Sequence, residues 1–314
     1  MKSVFDRAVL KTLRAMPVKL SRHLMFLLRQ NPTITDHFGY HVRPIHYYEP
    51  LPDFAQITPD QRQRRRQSSA IDFNLPAQVS LVRRLGQRYC TELLEMASHP
   101  EPDGFNFQND YFGGCDAALY YALLRDLKPK RVIEIGSGYS SQIADKALKR
   151  NCLEGDRGSL TCIEPFPQQT LLEANLDFEL IECQVEKIDL KFFERLRSGD
   201  VLFIDSSHAV KFGGDVCWEF LEILPSLPIG VWIHVHDIFF PHDYPAEWLI
   251  ERRIAFTEQY LLEAFLAYNQ SFSVQAANYW LYLDHPGVLQ LLWPAVRQSR
   301  EHHGGSSFWM TKNT

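Results

Sequence analysis

The stretch Arg131-Val-Ile-Glu134-Ile-Gly136-Ser137-Gly138-Tyr139-Ser140-Ser141 decides the fold of this 314-residue chain. A short strand, Arg131–Ile135, runs into a Gly-x-Gly turn, and residues 140–150 then have helical character. Glycines at such a turn allow a tight bend and a close approach of backbone to a ligand. Outward from it, strands at 160–163, 178–181, Val201–Ile204 and Gly230–Val235 alternate with helices at 190–197 and 214–224. Val201-Leu-Phe-Ile204 is apolar at every position, as expected of a strand buried on both faces. This alternation predicts an α/β, Rossmann-like, doubly wound and mostly parallel sheet. A long helix is expected after Pro245, carrying Trp248, Leu249, Phe256, Tyr260, Leu261, Phe265 and Leu266. Strands near Ser271–Val274 and Ser307–Thr311 predict antiparallel C-terminal edge strands.

The first 98 residues have a different texture and read as an N-terminal helical, irregular and aromatic-rich extension, a lid on the domain formed by 99–314. Phe5, Val9, Leu13, Met16, Leu20, Leu24 and Leu27 share one helical face, and Pro17 splits the segment into two helices. Lys2, Arg7, Lys11, Arg14, Lys19, Arg22 and Arg29 are opposed only by Asp6. These basic helices read either as a peripheral membrane contact or as helices packed on their own domain with a solvated basic face. Prolines at 32, 44, 50, 52 and 59 interrupt the aromatic-rich segment that follows. The run Arg62, Arg64, Arg65, Arg66 reads as a solvated face or an anion site. A helix is expected over 76–98.

With a net charge of −5 and 23% charged residues, the composition is that of a globular protein, and no nucleic-acid partner is expected. No apolar run is long enough to span a bilayer, and no secretory signal is evident. The six cysteines form no CxxC, which fits reduced thiols in a cytoplasmic protein.

Ligands in open α/β sheets bind outside the carboxyl ends of the strands. Glu164 ends the strand after the glycine turn, where a carboxylate can hold the two ribose hydroxyls of an adenosine-containing cofactor. Phe203-Ile-Asp205-Ser-Ser-His208 and His234-Val-His236-Asp237 close two later strands, so Asp205, His208, His236 and Asp237 should converge near the turn. Such a set suits a divalent metal in an open site. His234 reads as a core histidine. Tyr111-Phe112-Gly113-Gly114 reads as a flap over the cofactor or as an aromatic turn packing a helix on the sheet, with Asp110 at the edge of the site. Glu258, Gln259 and Tyr260 read as stabilising their helix or lining an acceptor pocket.

The sequence Glu134-x-Gly136-x-Gly138-x-Ser140 resembles the first motif of class I S-adenosylmethionine-dependent methyltransferases, with Ser140 in place of the third glycine. Residues 106–242 resemble the branch containing the metal-dependent macrolide and sugar O-methyltransferases and the cephamycin-pathway methyltransferase. The phrases Tyr111–Gly114, Phe203–His208 and His236–Pro245 are similar to an uncharacterised bacterial subgroup of that branch. The resemblance implies an O-methyltransferase acting on a hydroxyl of a glycan or secondary metabolite. It implies S-adenosylmethionine held by Glu134, Gly136, Ser137, Gly138, Tyr139, Ser140, Glu164 and Asp205. It also implies Mg2+ or Mn2+ on Asp205, His236 and Asp237, with His236 standing where an acid is usual, and His208 as general base beside Asp205. Homo-oligomerisation stays open, and the alternative is a non-catalytic scaffold or regulatory module of the same fold. A nicotinamide-dependent oxidoreductase is disfavoured because neither Tyr120 nor Tyr121 is followed by a lysine at hydride-transfer spacing.

Overall fold

A computed structural model describes residues 16–62, 64–100, 104–173, 176–295 and 305–314. Two compact units divide the chain, Met1–Ile57 and Thr58–Thr314. The first contains helices α1 (Val18–Gln30) and α2 (Pro32–His37). The first of the two expected N-terminal helices lies outside the described residues. The first long helix of the second unit is α3 (Leu75–Ser98), counted with the extension in the sequence reading. Asn74 caps it by accepting the Ala77 N–H. Gly86 lets it pass close to the 291–292 backbone, since a Cβ there would lie 1.9 Å from the Leu291 carbonyl oxygen.

The sheet is built around β4 (Val201–Ile204), whose four residues are all buried. On one side, β1 (Arg131–Ile135), β2 (Ser159–Ile163) and β3 (Glu179–Ile181) pair in parallel. On the other, β5 (Trp232–Val235) is parallel, while β7 (Phe308–Lys312) runs antiparallel to both β5 and β6 (Phe272–Ala277). The order is β3-β2-β1-β4-β5-β7-β6. The expected antiparallel pairing at the C-terminal edge is present, with β7 inserted between β5 and β6.

Helix α4 (Gly114–Leu127) is buried along most of its length, and α5 (Tyr139–Leu153) follows the glycine turn. Both pack in the helical layers that a parallel sheet needs on its faces. Residues 190–195 form a 3-10 helix. The helix expected over 214–224 begins as α6 (Asp215–Trp218) and then widens into a π turn at Glu219–Ile223. The long helix expected after Pro245 is instead two, α7 (Ala246–Ile250) and α8 (Glu258–Leu266). The break has a physical cause. The Thr257 and Glu258 N–H groups both donate to the His208 carbonyl, at 2.9 and 3.2 Å, so the start of α8 is pinned to the loop after β4. Another short helix, α9 (Asn278–Asp284), follows β6.

Candidate active site

Parallel register places the site. Ile135 pairs with Ile204, and Ile204 with Val235, so the residues that leave β1, β4 and β5 start side by side. Those residues are Gly136, Asp205 and His236. Asp205 N–H donates to the Ile135 carbonyl at 2.8 Å, and His236 N–H to that of Ile204 at 3.0 Å. Gly136 has φ +91°, and a Cβ there would sit 2.2 Å from the Asp205 carbonyl oxygen. Only glycine combines that backbone with that approach.

The glycine loop is braced from beneath. Glu134 is wholly buried and accepts from Tyr120 OH at 2.9 Å, from Ser141 Oγ and from Cys162 Sγ. Burial raises its carboxyl to about 7, against the pull of these donors. Its carboxylate is therefore turned into the fold, and it supports the loop from inside. Ser141 Oγ in turn accepts the Gly138 N–H. On the cleft side, Ser137 Oγ is buried without a partner among the described residues, and open space surrounds Gly138. Ser140 is buried at the helix start, and Tyr139 is half-buried with Tyr111 stacked on it, ring centroids 5.9 Å apart. Glu164 follows β2, half-buried, and accepts the Phe166 N–H. The Tyr111–Gly114 turn packs as an aromatic turn through one of its two rings. Tyr111 is exposed over Tyr139, while Phe112 is buried against Tyr120, Phe203 and His236.

At the ends of β4 and β5, charge is concentrated. His208 Nε2 lies 3.2 Å from Asp205 Oδ1 and 3.6 Å from Asp237 Oδ2, while its Nδ1 lies 2.7 Å from Glu258 Oε2. His236 Nδ1 lies 3.5 Å from Asp205 Oδ1 and 3.6 Å from Asp237 Oδ1, and its Nε2 is 3.5 Å from Asp116 Oδ2. Burial opposes the charge on both imidazoles, but the surrounding carboxylates outweigh it and hold both well above the ordinary histidine value. For Asp205, burial likewise opposes ionisation, and the two histidines overcome it, holding the carboxyl well below the ordinary range. The Asp205 side chain keeps 31% exposure against 10% for that of His208, so the cluster opens to the cleft at Asp205. His208 and Asp237 both have φ 56°, in the left-handed region. Non-glycine residues there cost roughly 1–3 kcal/mol, and such strain gathers at functional sites.

Several members of this cluster were not expected. Glu258 enters from α8, and Asp116 from α4, where it accepts the Ser306 and Ser307 N–H groups and Asn278 Nδ2. Ser306 Oγ donates to Asp237 Oδ1 at 2.9 Å. Glu219, on the π turn, is buried and accepts from Ser206 Oγ at 3.1 Å. The only sequence cue to Asp116 was its place two residues after the Gly113-Gly114 phrase. His234 is a core residue, stacked on Phe203 with ring centroids 3.9 Å apart and bonded through Nε2 to Ser307 Oγ. Burial and the neighbouring His236 hold it well below the ordinary value, hence neutral.

The proposed metal residues do come together, but as ion pairs. Among the described residues, no three His, Cys, Asp or Glu side chains converge as a ligand set. Both ring nitrogens of His236 face carboxylate oxygens, so both need a hydrogen and neither offers a lone pair. In this arrangement the residues do not fit a divalent cation. Two members of the arginine run are committed within the fold, while Arg64 is exposed. Arg65 pairs with Asp284, and Arg66 with Asp243 and Glu263. The Arg62 side chain lies outside what is described. A cavity of about 740 Å³ between α3 and α5, lined by Glu92, Tyr121, Asp145, Lys149 and Arg150, touches none of the residues at the strand ends.

Residues 133–238 match the family model described as a methyltransferase domain. An uncharacterised protein of Archaeoglobus fulgidus is 30% identical over 173 residues, spanning 49% of this chain and 72% of that protein. Among solved structures, the O-methyltransferase TomG of Streptomyces achromogenes, in complex with SAM, is 16% identical, with 74% of this chain and 89% of that one covered and a TM-score of 0.40. An O-methyltransferase of Bacillus cereus, in complex with SAH, is 14% identical, covering 75% and 91%, with a TM-score of 0.39. No helix among the described residues is long and apolar enough to cross a membrane. The methyltransferase-domain match runs from inside β1 to just past β5, so the stretch that holds Gly136, Asp205, His208 and His236 is the part of this chain that is similar to methyltransferases.

Proposed function

We propose that the chain transfers a methyl group from S-adenosylmethionine to a hydroxyl of a glycan or secondary metabolite. The observation that carries this reading is a buried imidazole, His208, with one ring nitrogen held by the buried Glu258 carboxylate and the other 3.2 Å from Asp205, whose backbone abuts Gly136 of the glycine loop. A hydroxyl is a poor nucleophile until it loses its proton, and an oriented histidine is the group that takes it.

The cofactor supplies an electrophilic methyl group on a sulfonium. The residues present fit it. Ser137 Oγ is a buried donor without a partner among the described residues, the space beside Gly138 is open, and Glu164 directly follows β2, a position from which a carboxylate can hold a ribose. Glu258 takes the Nδ1–H of His208, so that when the imidazole is neutral Nε2 is its proton acceptor, although the flanking carboxylates favour the charged form. Asp205, next to the loop, steadies the imidazolium once the proton has moved, and Asp237 shares that task. Phe256, its ring centroid 4.6 Å from that of His208, with Trp248 beyond it, walls the acceptor side and helps exclude water. The assignment needs no metal.

Calorimetric titration of the purified chain with S-adenosylhomocysteine tests the cofactor assignment first. Micromolar binding is expected, followed by turnover in a screen of hydroxylated glycans that His208→Ala abolishes. Absence of binding would overturn the reading and return the chain to a scaffold of the same fold.

A further inference from the structure

We infer that α1 is a docking element for an anionic phospholipid surface. The helix has no buried residue. Leu20, Leu24 and Leu27 lie on one face at 3.6 residues per turn and are 53%, 37% and 45% exposed. Lys19, Arg22 and Arg29 occupy the opposite side, and the helix contains no acidic residue. The ion pairs seen within 16–57 join His41 to Asp36 and Arg43 to Glu49, so they leave the cations of α1 to other partners. A helix of 13 residues is marginal in water by itself, and three leucines in solvent add nothing to hold it.

Charge decides which partner covers this face. A surface that takes leucines at its apolar boundary and cations at its phosphates meets both faces of α1 at once. A second copy of the same helix, meeting it leucine to leucine, would cover one face and leave both cationic faces in solvent. Phe38, Tyr40, Tyr47 and Tyr48, all exposed in the same unit, are the aromatic types that settle at headgroup level.

The test uses the full chain in flotation with phosphatidylcholine vesicles, with and without phosphatidylserine. Binding is expected only with phosphatidylserine, and it should weaken with salt. The triple variant Lys19→Gln, Arg22→Gln, Arg29→Gln should bind about a hundredfold more weakly, at roughly fivefold per charge. Leu24→Asp should abolish flotation while S-adenosylhomocysteine affinity, carried by the other unit, is unchanged. No flotation, or flotation indifferent to phosphatidylserine and to both variants, would overturn the inference. So would a Leu24→Asp variant that turns an oligomer into a monomer and floats as before, since the occupant would then be a second copy.

Discussion

The two halves of the cleft are built on opposite principles. At the ends of β1 and β2, backbone shape does the work. Gly136 touches the Asp205 backbone, and the one buried acid, Glu134, is turned away from the cleft with its carboxyl raised to about 7. At the ends of β4 and β5, two imidazoles are interleaved with Asp116, Asp205, Asp237 and Glu258. The first half suits a ligand recognised by fit and by amide groups. The second holds protons in place and offers one of them a route out. A methyl transfer to a hydroxyl needs both, a positioned donor and a proton acceptor.

If that division holds, His208→Ala should show the largest effect and strike only one half. Turnover should fall about 10²- to 10⁴-fold with S-adenosylhomocysteine affinity unchanged. Because the carboxylates raise its pKa, His208 is a working base only in its neutral form, so kcat/KM should climb about tenfold per pH unit through and above neutrality. A flat profile would break the comparison.

Gly136→Ala attacks the other half. Its φ of +91° and the 2.2 Å approach to Asp205 leave no room for a methyl group. A loss of about 3 kcal/mol in stability is expected, read as a lower Tm, together with weaker S-adenosylhomocysteine binding. Full affinity in this variant would show that the turn does not set the cofactor site.

Glu134→Gln sharpens the contrast through stability. The folded value of about 7 lies above the ordinary carboxylate value, so the folded state holds the proton more tightly. The stability this confers is present at low pH and is lost as pH rises towards about 7. The variant has no such loss, so its stability relative to the parent should rise by roughly 1–3 kcal/mol between pH 5 and pH 8. A gap that does not change with pH would place the Glu134 carboxyl in a more open setting. The smallest effect is expected from magnesium. Adding it, or adding a chelator, should change S-adenosylhomocysteine affinity and turnover less than twofold, and a strong stimulation would show that the imidazole cluster rearranges around a cation.

Much of this was legible in the chain itself. The strands at 131–135 and 201–204 coincide with their expected bounds because buried parallel strands are apolar runs, and the glycine turn announces itself. The convergence of Asp205, His208, His236 and Asp237 followed from where parallel strands end. Glu258 was not legible as a partner of His208, because 50 residues separate them and nothing in an acidic residue at a helix start tells whether it is solvated or buried. The break between α7 and α8 was hidden for a related reason. Residues 246–266 contain neither proline nor glycine, and the interruption comes from the His208 carbonyl taking two N–H groups.

Local pattern alone determined the alternating elements, the turn and the order in which reactive side chains leave the sheet, since these depend on neighbours in the chain. Proton placement was decided only by the tertiary structure. Whether His236 is a ligand or a cation depends on Asp116 from α4 and on the 305–307 segment that holds it, and burial turns those distant contacts into charge states.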